Sequence, residues 1–199
     1  MTAEHWDERF ATTPESDLSW FQEHPAMSLE LIGTAVPNNA SVIDVGGGES
    51  HLVDRLLERG HRDLTVLDIS QVALTNSYER VGDAPVTWLR TDIRDWTPDR
   101  TFDVWHDRAA YHFLIDPAEQ EHYWDLVRAA LEPGGHVVMA TFADDGPETC
   151  SGLAVARYDE QQLGQAMGEG FIIIETLREQ HPTPTGGEQS FLWLLAQRE

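Results

Sequence analysis

SVIDVGGGES, residues 41–50, is the stretch whose reading decides the fold. Two β-branched residues, Val42 and Ile43, lead into Asp44 and Val45, and three consecutive glycines follow, Gly46, Gly47 and Gly48. Beyond Glu49 and Ser50, apolar residues recur at helical spacing (Leu52, Val53, Leu56, Leu57) until Gly60 stops the run. The pattern predicts a strand, a glycine turn and a helix. Glycine suits such a turn because a ligand lying against the backbone leaves no room for a Cβ. In open α/β sheets, ligands bind at the carboxyl ends of the strands.

Spacing narrows the choice of ligand. A dinucleotide site asks for G-x-G-x-x-G, but from Gly46 the series runs Gly46, Gly48, His51. The missing third glycine argues against a nicotinamide-dependent oxidoreductase. The strand instead ends D-x-G-x-G, with Asp44 just ahead of the turn. A carboxylate there suits a ligand end that carries an ammonium group and repels a pyrophosphate. This motif resembles the first motif of class I S-adenosylmethionine (SAM) dependent methyltransferases, with Ser50 where many members carry a further glycine.

The next two strand patterns keep the same pace. Residues 64–67 end in Asp68, and VTWLRTDIRDW carries Asp92, so Asp44, Asp68 and Asp92 fall 24 residues apart, one βα unit each. An acidic residue at the second strand's tip is placed to accept from two ribose hydroxyls, although a strand-end Asp also serves as a helix cap. The resemblance implies that Ile69 lies beside the adenine, that Asp92 takes its exocyclic amine and that Ile93 packs on the ring. Residues 102–105 read as a buried fourth strand, with His106, Asp107 and Arg108 at its carboxyl end and Tyr111 and His112 just beyond. This WHDR-type stretch resembles two methyltransferase branches: small-molecule enzymes of bacteria, and enzymes that methylate protein lysines. Asp107, His106, Tyr111 and His112 are the candidate catalytic residues, since an ammonium acceptor must lose a proton before it attacks. Asp107 and Arg108 pairing with each other is the structural alternative. His106, Asp107, His112, Asp116 and His122 lie close together but show no H-x-x-x-H or C-x-x-C spacing, and no metal is expected.

Residues 1–30 form an N-terminal segment in which Trp6 and Phe10 stand one helical turn apart and Trp20 and Phe21 make an aromatic pair. By resemblance it is a lid, with Trp20 facing a sulfonium through a cation–π contact; plugging the segment onto the sheet is the alternative. Residues 117–131 read as a helix, EPGG as a turn and HVVMATF as a fifth strand. The long loop over 143–158 supplies further candidates for substrate contact, Cys150, Arg157 and Tyr158, beside Arg108. A short helix over 159–167 and two strong strand patterns, FIIIETL and SFLWLLAQ, close the chain. The expected fold is a three-layer α-β-α sandwich on a mostly parallel seven-stranded sheet with an antiparallel C-terminal strand. It forms one domain over 1–199, with the Rossmann-like core over 40–199.

Thirty-five acidic residues face thirteen arginines, with no lysine, for a formal charge of −22. Such a surface repels phosphate backbones, which argues against a nucleic-acid substrate, and suits a salt-rich interior. Absent lysine excludes lysine-based covalent catalysis. The polar N-terminus, the lack of an eighteen-residue apolar run and a single cysteine point to a cytoplasmic protein without a membrane partner. Monomer and homodimer both remain open. The expected activity is methyl transfer from SAM, leaving S-adenosylhomocysteine, to a small thiol, chalcogenide or amine. The alternatives are a protein lysine drawn to the acidic surface, and a sensor that binds SAM without turnover.

Overall fold

The computed structural model describes residues 2–199. Its frame is a seven-stranded sheet in the order β3-β2-β1-β4-β5-β9-β8. Strands β1 (Val42–Val45), β2 (Leu64–Asp68), β3 (Val86–Arg90), β4 (Phe102–Arg108) and β5 (Leu131–Phe142) pair in parallel. Strand β9 (Glu188–Arg198) is antiparallel both to β5 and to the edge strand β8 (Phe171–Pro182).

Alternation along β1 divides the core in two. Ile43 and Val45 join Trp105, Tyr123, Trp124 and Val127 on the face covered by α5 (Pro117–Ala130) and α6 (Glu160–Met167). Val42 joins Leu64, Val66 and Val104 on the other face, under α2 (Ala26–Ala35), α3 (Leu52–Glu58) and α4 (Gln71–Val81). Both faces are covered by helices, as a sheet with buried parallel strands requires. The helices start where the side chains cap them. Ser70 accepts from Ala73 N at the head of α4, Asp116 from Ala118 N at α5, and Asp159 forms a capping box with Gln162 at α6. Among the described residues no helix is long and apolar enough to cross a membrane.

Three elements differ from the sequence expectation. Strand β4 runs three residues further, through His106, Asp107 and Arg108, because Asp107 and Arg108 pair with Met139 and Ala140 of β5. The expected EPGG turn falls inside β5, looped out between the pairs Phe102–Leu131 and Val104–His136, with Gly134 at φ 85°. The irregular loop after β5 holds a small hairpin, β6 (Thr149–Cys150) and β7 (Leu153–Ala154). Its two turn residues, Ser151 and Gly152, have φ of 51° and 78°, as a tight hairpin turn demands.

Candidate functional site

The parallel strands all end on one edge, and a cavity opens there under α1 (Ala3–Thr12) and the segment that follows it. All ten residues expected to hold a cofactor line it: Asp44, Gly46, Gly47, Gly48, Ser50, Asp68, Ile69, Asp92, Ile93 and Trp20. Two of the three glycines in the turn between β1 and α3 have no room for a Cβ. Gly46 sits at φ 68°, and a Cβ there would come 2.5 Å from the Ala110 Cβ; one on Gly47 would lie 2.7 Å from Asp44 Oδ2. The bare backbone therefore forms part of the cavity wall.

Three carboxylates stand at three strand tips. Asp44 Oδ1 is 2.7 Å from His106 Nδ1, and His106 Nε2 is 2.9 Å from Ser28 Oγ. With a neutral ring the Nδ1–H donates to Asp44 and Nε2 accepts the Ser28 hydroxyl proton. The order of atoms is that of a hydrolytic triad, but Ser28 is 1% exposed in α2 and does not reach the cavity, so the chain orients Asp44. Asp68 Oδ1 accepts the Ser70 N–H at 2.7 Å. Burial, with the Asp44 charge adding to it, pushes the Asp68 carboxyl up to about 7 against the backbone donors that pull it down. At Asp92 burial pushes up as well, but Arg94 wins and holds the carboxyl below its usual range; Nη2 and Nε lie at 2.6 and 3.0 Å.

The cover is aromatic and tied down. Trp6 and Phe10 pack together at 6.0 Å, Trp6 meets Phe113 edge-on at 5.2 Å, and Trp20 stands edge-on to both Trp6 and Phe10. Asp7 on α1 accepts from Ser70 Oγ at 2.6 Å and Val72 N at 3.1 Å, seating its charge on the N-terminus of α4. Burial raises this carboxyl, and these donors more than reverse it, to a pKa below the ordinary value.

Past β1, the cavity extends over the tips of β4, β5 and β9 and takes in Arg108, Phe113, Phe142, Cys150, Gln189 and Phe191. Of the four expected substrate residues, Arg108 and Cys150 are here. The Cys150 thiol is buried, and burial pushes it up to about 11. Arg157 and Tyr158 lie elsewhere. Arg157 bonds Gly146 O and Glu148, while Tyr158 stacks on Tyr111 in the core.

Of the four candidate catalytic residues only His106 reaches the cavity. Asp107 points into the core, accepting the Ala110 N–H at 2.9 Å, the Tyr111 N–H at 3.0 Å and the Tyr123 hydroxyl at 2.5 Å. It does not pair with Arg108. Burial raises its carboxyl to about 6, partly offset by those donors. Tyr111 is fully buried, with its hydroxyl accepting from Trp124 Nε1 at 3.1 Å. His112 is fully buried between Phe113 and Phe142, and burial, then Arg108, depresses its pKa to about 3, so the ring is neutral. Sequence reasoning missed Gln189, Phe191, Phe142 and Phe113, which carry no chemical signature in a run of strand or loop residues.

Residues 42–135 match the methyltransferase domain family. The chain is 23% identical over 175 residues to the eEF1A lysine and N-terminal methyltransferase of Mus musculus, covering 86% of this chain and 24% of that protein. It thus spans about a quarter of the length of that relative. The N-methyltransferase NodS of Bradyrhizobium japonicum WM9, solved in complex with S-adenosyl-L-homocysteine, superposes with a TM-score of 0.76 at 18% identity, covering 100% of this chain and 99% of that one. The 1,6-didemethyltoxoflavin-N1-methyltransferase of Burkholderia thailandensis superposes with a TM-score of 0.74 at 22% identity, covering 98% and 84%. Residues 42–135 thus match a methyltransferase domain, and the sheet they belong to has the fold of the class I SAM-dependent methyltransferases.

Proposed function

We propose that the chain transfers a methyl group from SAM to a small nucleophile enclosed beneath the N-terminal aromatic cover. One observation carries the reading: the ten cofactor candidates and an aromatic extension over β4, β5 and β9 line one continuous cavity. The residues fit the cofactor. Gly46 and Gly47 line the cavity as bare backbone, packed against Ala110 and Asp44, and Asp44 presents a carboxylate suited to an ammonium end. Asp68 has Oδ2 beside Gly48 for ribose hydroxyls, and Ile69 and Ile93 flank the wall as an adenine requires. Bound there, SAM supplies a methyl carbon made electrophilic by its sulfonium.

The chain's own residues then have two tasks, alignment and exclusion of water. Trp6, Phe10, Trp20 and Phe113 close the cavity from above. Phe142 and Phe191, 4.9 Å apart, floor the acceptor side. Both ring nitrogens of His106 are committed, to Asp44 and Ser28, so His106 has none left to take a proton from an acceptor. That arrangement supports an acceptor that arrives already nucleophilic, a thiolate or an unprotonated amine, and needs only positioning.

A protein lysine is the second reading. Its support is the similarity to the eEF1A lysine and N-terminal methyltransferase together with a net charge of −22 that attracts a basic segment. The test is transfer of labelled methyl from SAM into a desalted cell extract and, separately, into its low-molecular-mass fraction. Label in the small fraction alone is the expected result. Label on a protein band promotes the lysine reading, and no label in either overturns turnover while leaving a SAM-binding sensor.

A further inference from the structure

Arg108 is the arginine that lines the cavity, and it has no carboxylate partner. Among the described residues, seven arginines (55, 80, 94, 100, 128, 157 and 178) sit in ion pairs with Asp or Glu. What sets Arg108 apart from the other arginines outside these pairs is that its guanidinium faces into the cavity. Arg108 Nη1 donates to Trp20 O at 2.8 Å, and the guanidinium lies over the Phe191 ring at 5.1 Å. Its Nε and Nη2 are shut off from solvent with no hydrogen-bond acceptor. Two unpaired donors on a charged group at this depth are costly unless a ligand completes them.

The two carboxylates whose charges bear on Arg108 are engaged elsewhere. Asp44 is held by His106, and Glu179 accepts from Trp193 Nε1 at 2.7 Å and Gln22 Nε2 at 3.4 Å. Position separates this cation from the cofactor cradle. Asp44, Asp68 and Asp92 end or follow β1, β2 and β3, whereas Arg108 pairs with Ala140 on β5 and covers Phe191 on β9, on the opposite side of β1. Arg9 adds a second positive charge from the cover, its guanidinium 5.9 Å from the Trp20 ring and its buried Nε without an acceptor.

We propose that the methyl acceptor carries a carboxylate, which docks on Nε and Nη2 of Arg108 at the β4–β9 end of the cavity. The geometry of those two adjacent donors matches the two oxygens of a carboxylate. The proposal rests on the small-acceptor reading, and it disfavours a lysine ammonium, which would meet a like charge here. An acceptor so held has its anionic end on Arg108 and its nucleophile directed back toward the tip of β1.

The test uses matched probes on the full chain: phenylacetate against phenylacetamide, titrated by ligand-observed NMR with and without S-adenosylhomocysteine, whose own affinity is measured first by calorimetry. Wild type is expected to favour the carboxylate at least about tenfold. Arg108→Gln should abolish that preference, Arg108→Lys should restore part of it, and the affinity for S-adenosylhomocysteine should stay within about twofold in both. A merely structural tie to Trp20 would weaken both probes alike and leave their ratio intact. Equal binding of the two probes, or a preference that survives Arg108→Gln, overturns the proposal. So does Arg108→Gln weakening S-adenosylhomocysteine instead, because Arg108 would then serve the cofactor's carboxylate. Failure of S-adenosylhomocysteine to bind at all counts against the methyl-transfer reading and leaves the probe comparison to be judged on the free protein.

Discussion

Asp68→Asn separates the roles of charge and shape at the second strand tip. In the free protein the carboxyl is raised to about 7 by burial and by Asp44 nearby. Ribose hydroxyls are donors, and they bind best to the ionised form. At pH 6 about one molecule in eleven carries that form, and at pH 8 about ten in eleven, so affinity for S-adenosylhomocysteine should rise about tenfold across the interval, roughly 1.4 kcal/mol. The amide of the variant still offers one oxygen, but the equivalent oxygen already accepts the Ser70 N–H in wild type. The variant should therefore bind about ten- to a hundredfold more weakly at pH 8, the loss of a hydrogen bond to a charged group, and show no slope between pH 6 and 8.

Stability must move the other way. A carboxyl whose folded pKa lies above its unfolded value favours the folded state fully below pH 3.8, and that contribution is lost as pH rises through about 7. Asp68→Asn should consequently stabilise the ligand-free protein at pH 8, by up to about 4 kcal/mol, and flatten its denaturant midpoint against pH. Calorimetric titration at three pH values and urea unfolding of both proteins give the two readouts. Ionisable groups of the ligand are the same for both proteins, so the difference isolates Asp68. A wild-type affinity that is flat from pH 6 to 8, or an Asn variant less stable at pH 8, refutes the reasoning.

Two further substitutions probe the turn and the buried wall. Gly46→Val places a branched side chain at φ 68° against Ala110, so S-adenosylhomocysteine binding should fall more than about tenfold with a lowered Tm; a Val variant that binds normally would show that the ligand does not approach this backbone. Asp107→Ala strands the Ala110 and Tyr111 N–H groups and the Tyr123 hydroxyl in the core, and should cost about 3–5 kcal/mol of stability in urea; a loss of activity at unchanged stability would instead make Asp107 a participant in the reaction.

The parallel core and its glycine turn were legible because each βα unit brings its strand to the same edge and leaves an acidic tip there. Asp44, Asp68 and Asp92 therefore stand at even spacing along the chain itself. The WHDR stretch was harder, since sequence does not say where a strand stops. Because β4 continues to Arg108, successive side chains alternate: His106 and Arg108 face the cavity, while Asp107 points into the core. Nothing in the local sequence distinguishes a buried Asp satisfied by backbone donors from one that serves a substrate. Gln189 and Phe191 were illegible for a topological reason. Strand β9 runs antiparallel, so its first residues, not its last, emerge at the edge where β1 to β5 end.

The same edge carries an electrostatic division that follows from that topology. At Asp68 burial, with the nearby Asp44 charge adding to it, raises the carboxyl, so holding both acids ionised at this edge carries a cost. A ligand with an ammonium and a sulfonium lowers that cost, which turns part of it into binding energy for a cation. Across β1 the sign reverses at Arg108, whose unpaired donors favour an anion by the same logic. Under the proposed function, the carboxylates on one flank and the guanidinium on the other would orient two ligands in opposite senses, cation toward β1–β3 and anion toward β4–β9. An acceptor of the proposed kind, its ends sorted by charge, would enter with its nucleophile toward the seam between them, and alignment across that seam is what methyl transfer by positioning requires.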